Sequence, residues 1–140
     1  MNKERLLVLA NFLDTVPTFK FDLTSWRHHP GADHYVQDSD LVDWKLNDMT
    51  CGTTACAVGW ACSIPEFNAQ GLFWEDRPVY EVAGVWGKHR SWGAVTGFFD
   101  LGTYDAEHLF TYDLYPFGER GPKDVAARIR TFVKDDGDVN

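Results

Sequence analysis

The stretch of sequence that decides the fold is residues 51–62, which read CGTTACAVGWAC. Its pattern predicts a helix from about Thr54 to Ile64, capped by Thr53 or Thr54 and ended by Pro65. Small residues share one stripe of this helix and bulkier residues share the next, as in a helix buried on all sides. The small stripe holds Ala55, Gly59 and Cys62, and the bulky stripe holds Cys56, Trp60 and Ile64. We therefore expect a central helix whose small face lets another element approach closely.

Four further helices are predicted on either side of this segment. Residues 2–15 form the first, with Asn2 as its N-cap, and Pro17 ends it. The other three are expected to begin near Ser91, Thr103 and Pro122. Hydroxyl side chains are good helix caps, and proline is favoured at the first position of a helix.

A short β-hairpin is predicted between the central helix and the later helices. Its strands are Leu72–Trp74 and residues 78–82, joined by a polar turn. The fold class is therefore α+β and predominantly α-helical, with about five helices packed around the Thr54–Ile64 helix and one small hairpin. We expect a single globular domain over residues 1–134, followed by a short acidic tail over residues 135–140.

Composition and charge limit the classes of function. The chain has 140 residues, of which 44% are hydrophobic, so it can bury a core of its own. Its formal net charge of -8 repels a phosphate backbone, which disfavours direct binding of nucleic acid. No apolar run approaches the roughly 20 residues that span a bilayer, and the first residues do not resemble a secretory signal. We expect a cytoplasmic protein without membrane association, and a homo-oligomer stays open.

The three cysteines and five histidines raise the question of a metal site. On one straight helix Cys56 and Cys62 would lie roughly 9 Å apart along the axis, which is too far for two thiolates on one zinc ion. A second partial ligand set is formed by His28, His29 and His34. A histidine-rich loop is more often polar surface, so we expect neither a metal nor a cofactor.

Thiol catalysis is the alternative chemistry. Cys51 lies near a predicted helix N-terminus, where the helix dipole and free N–H groups stabilise a thiolate. A candidate anion site at the same position consists of Gly52, Thr53 and Thr54. With His89 or His108 as the general base, the protein would be a small thiol- or metal-dependent hydrolase. The other two cysteines fall within the predicted helix, where buried packing is their more usual role.

Aromatic residues define a further candidate site, for a ligand or for a partner. Three of the six tryptophans fall in less regular segments: Trp26, Trp74 and Trp86. The local cationic cluster consists of Arg77, Lys88, His89 and Arg90. Indole rings stack on nucleobases and anchor protein interfaces. Together these residues predict a site for a small nucleotide-like anion or for a host protein.

The motif C-G-T-x-A-C-A-x-G at residues 51–59 resembles one that recurs in small uncharacterised proteins of phages and bacteria. The order of the other segments resembles that group as well, and the resemblance covers most of the chain. It implies a phage or mobile-element setting and brings no activity with it. We therefore expect an accessory binding protein rather than an enzyme, with counter-defence as its role. It would inhibit a host protein or sequester a small nucleotide-like molecule.

Overall fold

The computed structural model describes residues 1–28, 54–82 and 87–138. Within these ranges the chain forms six α-helices and two small antiparallel sheets. The predicted fold class, α+β and predominantly helical, is confirmed. No helix in these ranges combines the length and the apolar character that crossing a bilayer requires.

Helices and short strands follow one another along the described chain. The helices are α1 (Lys3–Leu13), α2 (Ala57–Ala61), α3 (Pro65–Ala69), α4 (Trp92–Phe99), α5 (Thr103–Phe110) and α6 (Pro122–Asp138). The first sheet pairs β1 (Arg27–His28) with β2 (Thr54–Ala55). The second sheet has the order β3 (Leu72–Trp74), β4 (Pro78–Tyr80) and β5 (His89–Arg90). Two short 3-10 helices cover Thr18–Lys20 and Tyr112–Leu114.

Helices α1 and α6 make the most extensive contact between two described elements. α1 begins as predicted, because the Asn2 side chain accepts a hydrogen bond from the Arg5 N–H at 3.0 Å. α6 also begins as predicted, with Pro122 as its first residue. The buried apolar faces are Leu6, Leu9 and Leu13 on α1 and Val125, Ile129 and Val133 on α6. The backbone of α6 stays helical through Asp138, so it runs into the segment predicted as an acidic tail.

The central helix is shorter than the predicted Thr54–Ile64, because α2 covers only Ala57–Ala61. Pro65, predicted to end it, is instead the first residue of α3. Thr54 and Ala55 instead form β2, with Ala55 opposite Arg27. The Cys56 N–H donates to the Ser25 carbonyl at 3.0 Å, so this backbone is satisfied across the chain and not along a helix. The prediction of Thr54 as a helix cap is therefore wrong. Pairing between distant segments overrides a local helix preference of this size.

The small face of α2 meets the backbone that leads into β1, which confirms the predicted close approach. A Cβ placed on Gly59 would overlap the Trp26 carbonyl oxygen and lie 2.8 Å from the Ala55 Cβ. The Gly59 carbonyl accepts hydrogen bonds from the Arg27 Nε at 3.3 Å and from its Nη2 at 3.2 Å. Arg27 is only 8% exposed, and its guanidinium lies 4.6 Å from the Trp74 ring centre. These contacts fix the backbone at Trp26.

The predicted hairpin is confirmed and is extended by a third strand. β3 and β4 pair antiparallel, and β5 pairs with β4 so that His89 lies opposite Tyr80. The Ser91 N–H donates to the Pro78 carbonyl at 2.9 Å, which ties the start of α4 to this sheet. The Ser91 side chain makes no capping bond. The N-cap of α5 is Gly102, and Thr103 is the first residue of the helix.

Candidate functional site

A cleft of about 370 Å³ opens where four separate segments of the chain meet. Its aromatic walls come from Trp26, from Trp92 at the start of α4, and from Phe110 and Tyr112 after α5. The Cys56 side chain, at the N-cap of α2, also lines it. Concave, largely apolar pockets of roughly 300–1,000 Å³ are the usual sites for small ligands.

The two tryptophans of the cleft form an edge-to-face pair. Their ring centres lie 5.1 Å apart at an interplanar angle of 61°. Trp92 is 37% exposed, so its ring is accessible from solvent. Such aromatic pairs are stabilised by the complementary charge of ring edge and ring face. The pair therefore presents a rigid aromatic wall rather than two independent side chains.

Each wall is positioned by local hydrogen bonds. Asp22 accepts hydrogen bonds from the Thr24 N–H at 3.0 Å and from the Thr24 hydroxyl at 2.5 Å, which shapes the turn before Trp26. Tyr112 begins a 3-10 helix whose C-cap is Tyr115. The Tyr115 hydroxyl donates to the Leu109 carbonyl at 2.5 Å, which ties this helix to α5. Hydrogen bonds of side chains therefore support the cleft on the Trp26 side and on the Tyr112 side.

The described residues that line the cleft carry no formal charge. Besides the aromatic rings and Cys56, they are Leu23, Thr24, Ser25 and Thr111. On a chain of net charge -8, an uncharged lining of rings and hydroxyls is a local exception. Such a lining suits an uncharged planar ring, which can stack on indole and accept or donate hydrogen bonds at its edge.

The two described cysteines are neutral thiols. Burial raises the pKa of Cys56 to about 11 and that of Cys62 to about 12, so neither is a thiolate at neutral pH. The Cys56 sulfur lies 3.9 Å from the Trp26 carbonyl oxygen and packs the floor of the cleft. Their positions match the packing role expected of buried cysteines. Cys51, the candidate nucleophile, lies outside the described residues.

The predicted aromatic and cationic residues are not gathered at one place in the structure. Trp26 lines the cleft, whereas Trp74 is 3% exposed in the core beneath Arg27. Lys88 lies between Glu75 and Glu81, with Nζ 3.6 Å and 3.8 Å from their carboxylates. The other three residues of the cationic cluster are exposed: Arg77, His89 and Arg90. Trp86 lies outside the described residues.

The two candidate bases belong to different surfaces. His89 stacks on Tyr80 in the second sheet, with ring centres 6.2 Å apart. His108 lies 6.5 Å from the Phe132 ring, in an open groove of about 610 Å³ between α5 and α6. In that groove the Arg128 Nη1 already donates to the His108 carbonyl at 2.8 Å. The groove is larger than the aromatic cleft, but its walls are the charged outer faces of two helices.

No group of three or more His, Cys, Asp or Glu residues that could hold a metal ion occurs within the described ranges. Of the predicted ligand set His28, His29 and His34, the structure describes only the backbone of His28. The other two residues lie outside the described ranges. Gly52 and Thr53 of the candidate anion site also lie outside those ranges. Thr54 belongs to β2, so it is not at the N-terminus of α2.

Sequence reasoning missed most of the residues that build the cleft. Trp92 falls at the same helical spacing as the core residues Val95 and Phe99 of α4, so spacing alone predicts a core position for it. Tyr112 begins the 3-10 helix after α5 and belongs to no recognisable motif, although this segment and the loop after it expose the aromatic residues Tyr112 and Phe117. Exposed aromatic residues in a loop are a signal for binding that a sequence can carry.

Arg120 is the cation placed next to this cleft by the described contacts. Its guanidinium carbon lies 5.0 Å from the centre of the Tyr112 ring and 5.9 Å from that of Phe117. Its Nε donates to the Tyr115 carbonyl at 3.1 Å, which fixes the direction of the guanidinium plane.

The chain matches no protein-family model, no curated protein and no solved structure.

Proposed function

We propose that the protein is a binding protein that sequesters a small, planar, nucleotide-like molecule in the cleft formed by Trp26, Trp92 and Tyr112. The observation that carries the proposal is the paired indole wall in an uncharged pocket on an acidic chain. Stacking of a base on an aromatic side chain contributes about 1–3 kcal/mol. A second aromatic residue on the opposite wall would restrict the ring to one plane.

A binding role is compatible with the described cysteines and histidines. The described thiols are protonated, and the candidate bases lie on separate surfaces of the fold. Sequestration requires neither a nucleophile nor a base, only a complementary pocket. In the phage or mobile-element setting that the resemblance suggests, such capture would serve counter-defence by lowering the free concentration of a host molecule.

Calorimetric titration with four nucleosides tests the proposal. We expect at least one of the four nucleosides adenosine, guanosine, cytidine and uridine to bind the wild-type protein. Trp92→Ala should weaken that binding by about 5- to 150-fold, the equivalent of about 1–3 kcal/mol. The matched control is Tyr104→Ala, which removes an aromatic ring that is 83% exposed on α5 and outside the cleft. Equal binding by Trp92→Ala and wild type, or no binding of any nucleoside near 1 mM, would contradict the proposal.

A protein partner is the second candidate, since the loop after Tyr112 carries exposed apolar side chains. Phe117 is 93% exposed and Leu114 is 51% exposed. Inhibition of a host protein through this loop would be lost in Phe117→Ser and retained in Trp92→Ala, the reverse of the pattern expected for ligand capture. The hydrolase alternative is tested separately by Cys51→Ser, which should leave binding and any biological effect unchanged if the protein acts by sequestration.

A further inference from the structure

We infer that the ligand of the cleft carries a phosphate group next to its planar ring, and that Arg120 binds this phosphate. The inference rests on the proposed function and adds the charge of the ligand to it. The cleft itself offers rings and hydroxyls but no cation, so a nucleotide would need a positive group at the rim. Arg120 lies against Tyr112, one of the residues that line the cleft, with its guanidinium carbon 5.0 Å from the centre of that ring.

The position of Arg120 follows from three contacts. Its guanidinium lies over Tyr112, a residue of the cleft wall, at 5.0 Å from the ring centre. It lies 5.9 Å from the Phe117 ring, so aromatic surface flanks it on two sides. The Nε donates to the Tyr115 carbonyl, and within the described residues neither terminal nitrogen makes a hydrogen bond. A guanidinium presented in this way can donate two parallel hydrogen bonds to one phosphate.

The charges around Arg120 leave it available for an anion. The side chain is half-buried, and it forms an ion pair with no carboxylate of the described residues. The acidic residues close to Arg120 in sequence are Glu119, which is exposed, and Asp124 in the first turn of α6, whose Oδ2 accepts from the Gly121 N–H at 2.8 Å. Lys88, in contrast, is shared between two carboxylates, so its charge is already compensated.

The test compares each nucleoside with its 5′-monophosphate on the wild-type protein, by calorimetry at low salt. We expect the best-binding nucleoside to gain about tenfold in affinity when it carries the phosphate, the lower end of what a charged hydrogen bond contributes. The gain should shrink as salt is added. This comparison uses no variant, so it does not depend on whether a substituted protein folds.

Variants then assign the gain to one residue. Arg120→Gln should abolish the difference between nucleoside and monophosphate, and Arg120→Lys should keep part of it. Arg77→Gln, which removes an exposed cation of the second sheet, should leave the full gain. If nucleoside and monophosphate bind the wild type equally, Arg120 is not a phosphate site although the cleft still binds rings. If Arg77→Gln reduces the gain as much as Arg120→Gln, general electrostatics explains it and the inference is wrong. If neither ligand binds, the proposed function itself fails.

Discussion

Substitution of Gly59 by alanine should be among the most damaging single-methyl changes in this protein. The added Cβ would overlap the Trp26 carbonyl oxygen and lie 2.9 Å from the carbonyl carbon of the same residue. The obstacle is backbone, so no side-chain rotation can relieve it. Either α2 or the strand-like segment before β1 must move, and that movement separates the Gly59 carbonyl from Arg27.

The magnitude follows from these two effects. Overpacking of a tight core costs about 1–3 kcal/mol. Weakening the two hydrogen bonds from the buried Arg27 guanidinium adds about 1.5–3 kcal/mol, since they involve a charged donor. We expect Gly59→Ala to lower the free energy of unfolding by at least about 2.5 kcal/mol. For a chain of this length that corresponds to a fall in Tm of about 10 °C.

Urea denaturation followed by circular dichroism measures the effect. The matched control is Gly93→Ala, the same change on α4, where the nearest atom to the new Cβ is the His89 Cβ at 4.0 Å. That variant should be as stable as the wild type or more stable by up to about 1 kcal/mol, because alanine favours a helix over glycine. An unfolding free energy of Gly59→Ala within about 0.5 kcal/mol of wild type would refute the close approach of α2 to Trp26.

Two further predictions concern buried groups. Folding raises the pKa values of Cys56 and Cys62 above 9.0. The contribution of the two neutral thiols to the free energy of unfolding is therefore complete below pH 9 and is lost at higher pH. The free energy of unfolding should therefore fall as the pH rises from 9 towards 11, by up to about 1.4 kcal/mol per pH unit for each thiol, and Cys56→Ala should show a shallower fall in urea titrations at alkaline pH. An unchanged pH profile in that variant would mean that Cys56 is accessible to solvent. In α6, Ile129→Ala should cost about 2–5 kcal/mol because Ile129 is fully buried, and Phe132→Ala should cost less than Ile129→Ala because Phe132 is half-buried. Thermal denaturation of both variants checks this order, and a larger loss in Phe132→Ala would contradict it.

Local chemistry made much of the fold predictable. The Asn2 cap and Pro122 at a first helical position act within one helical turn, and both were identified from neighbouring residues. The hairpin was predictable for the same reason, since its strands are close in sequence. Thr54 and Ala55 were misassigned because their hydrogen-bond partners lie near residue 27, across a long separation in sequence. The spacing of apolar residues in a short segment carries no information about a hydrogen-bond partner elsewhere in the chain.

The candidate site was less predictable than the fold. Trp26 was singled out because it falls in an irregular segment, and it does line the cleft. Trp74 was selected by the same criterion but is buried, since its strand faces the core. Trp92 and Tyr112 become neighbours of Trp26 only through the packing of α4 and α5, so no spacing rule relates them. The cationic cluster was chosen by proximity in sequence, whereas the contact between Arg120 and Tyr112, a residue of the cleft wall, forms only on folding.

The cleft is shared by chain segments that are far apart in sequence, from residues 23–26 to residues 110–112. In the unfolded chain these segments are separated, so the site exists only in the native state and occupancy must raise the melting temperature. At a ligand concentration of about 100 times Kd the added stability is about 2.7 kcal/mol. For a domain of this size that shift is several degrees, which a thermal-shift plate resolves readily. A thermal-shift screen of metabolites can therefore identify the ligand, and the shift should be smaller for Trp92→Ala than for the wild type.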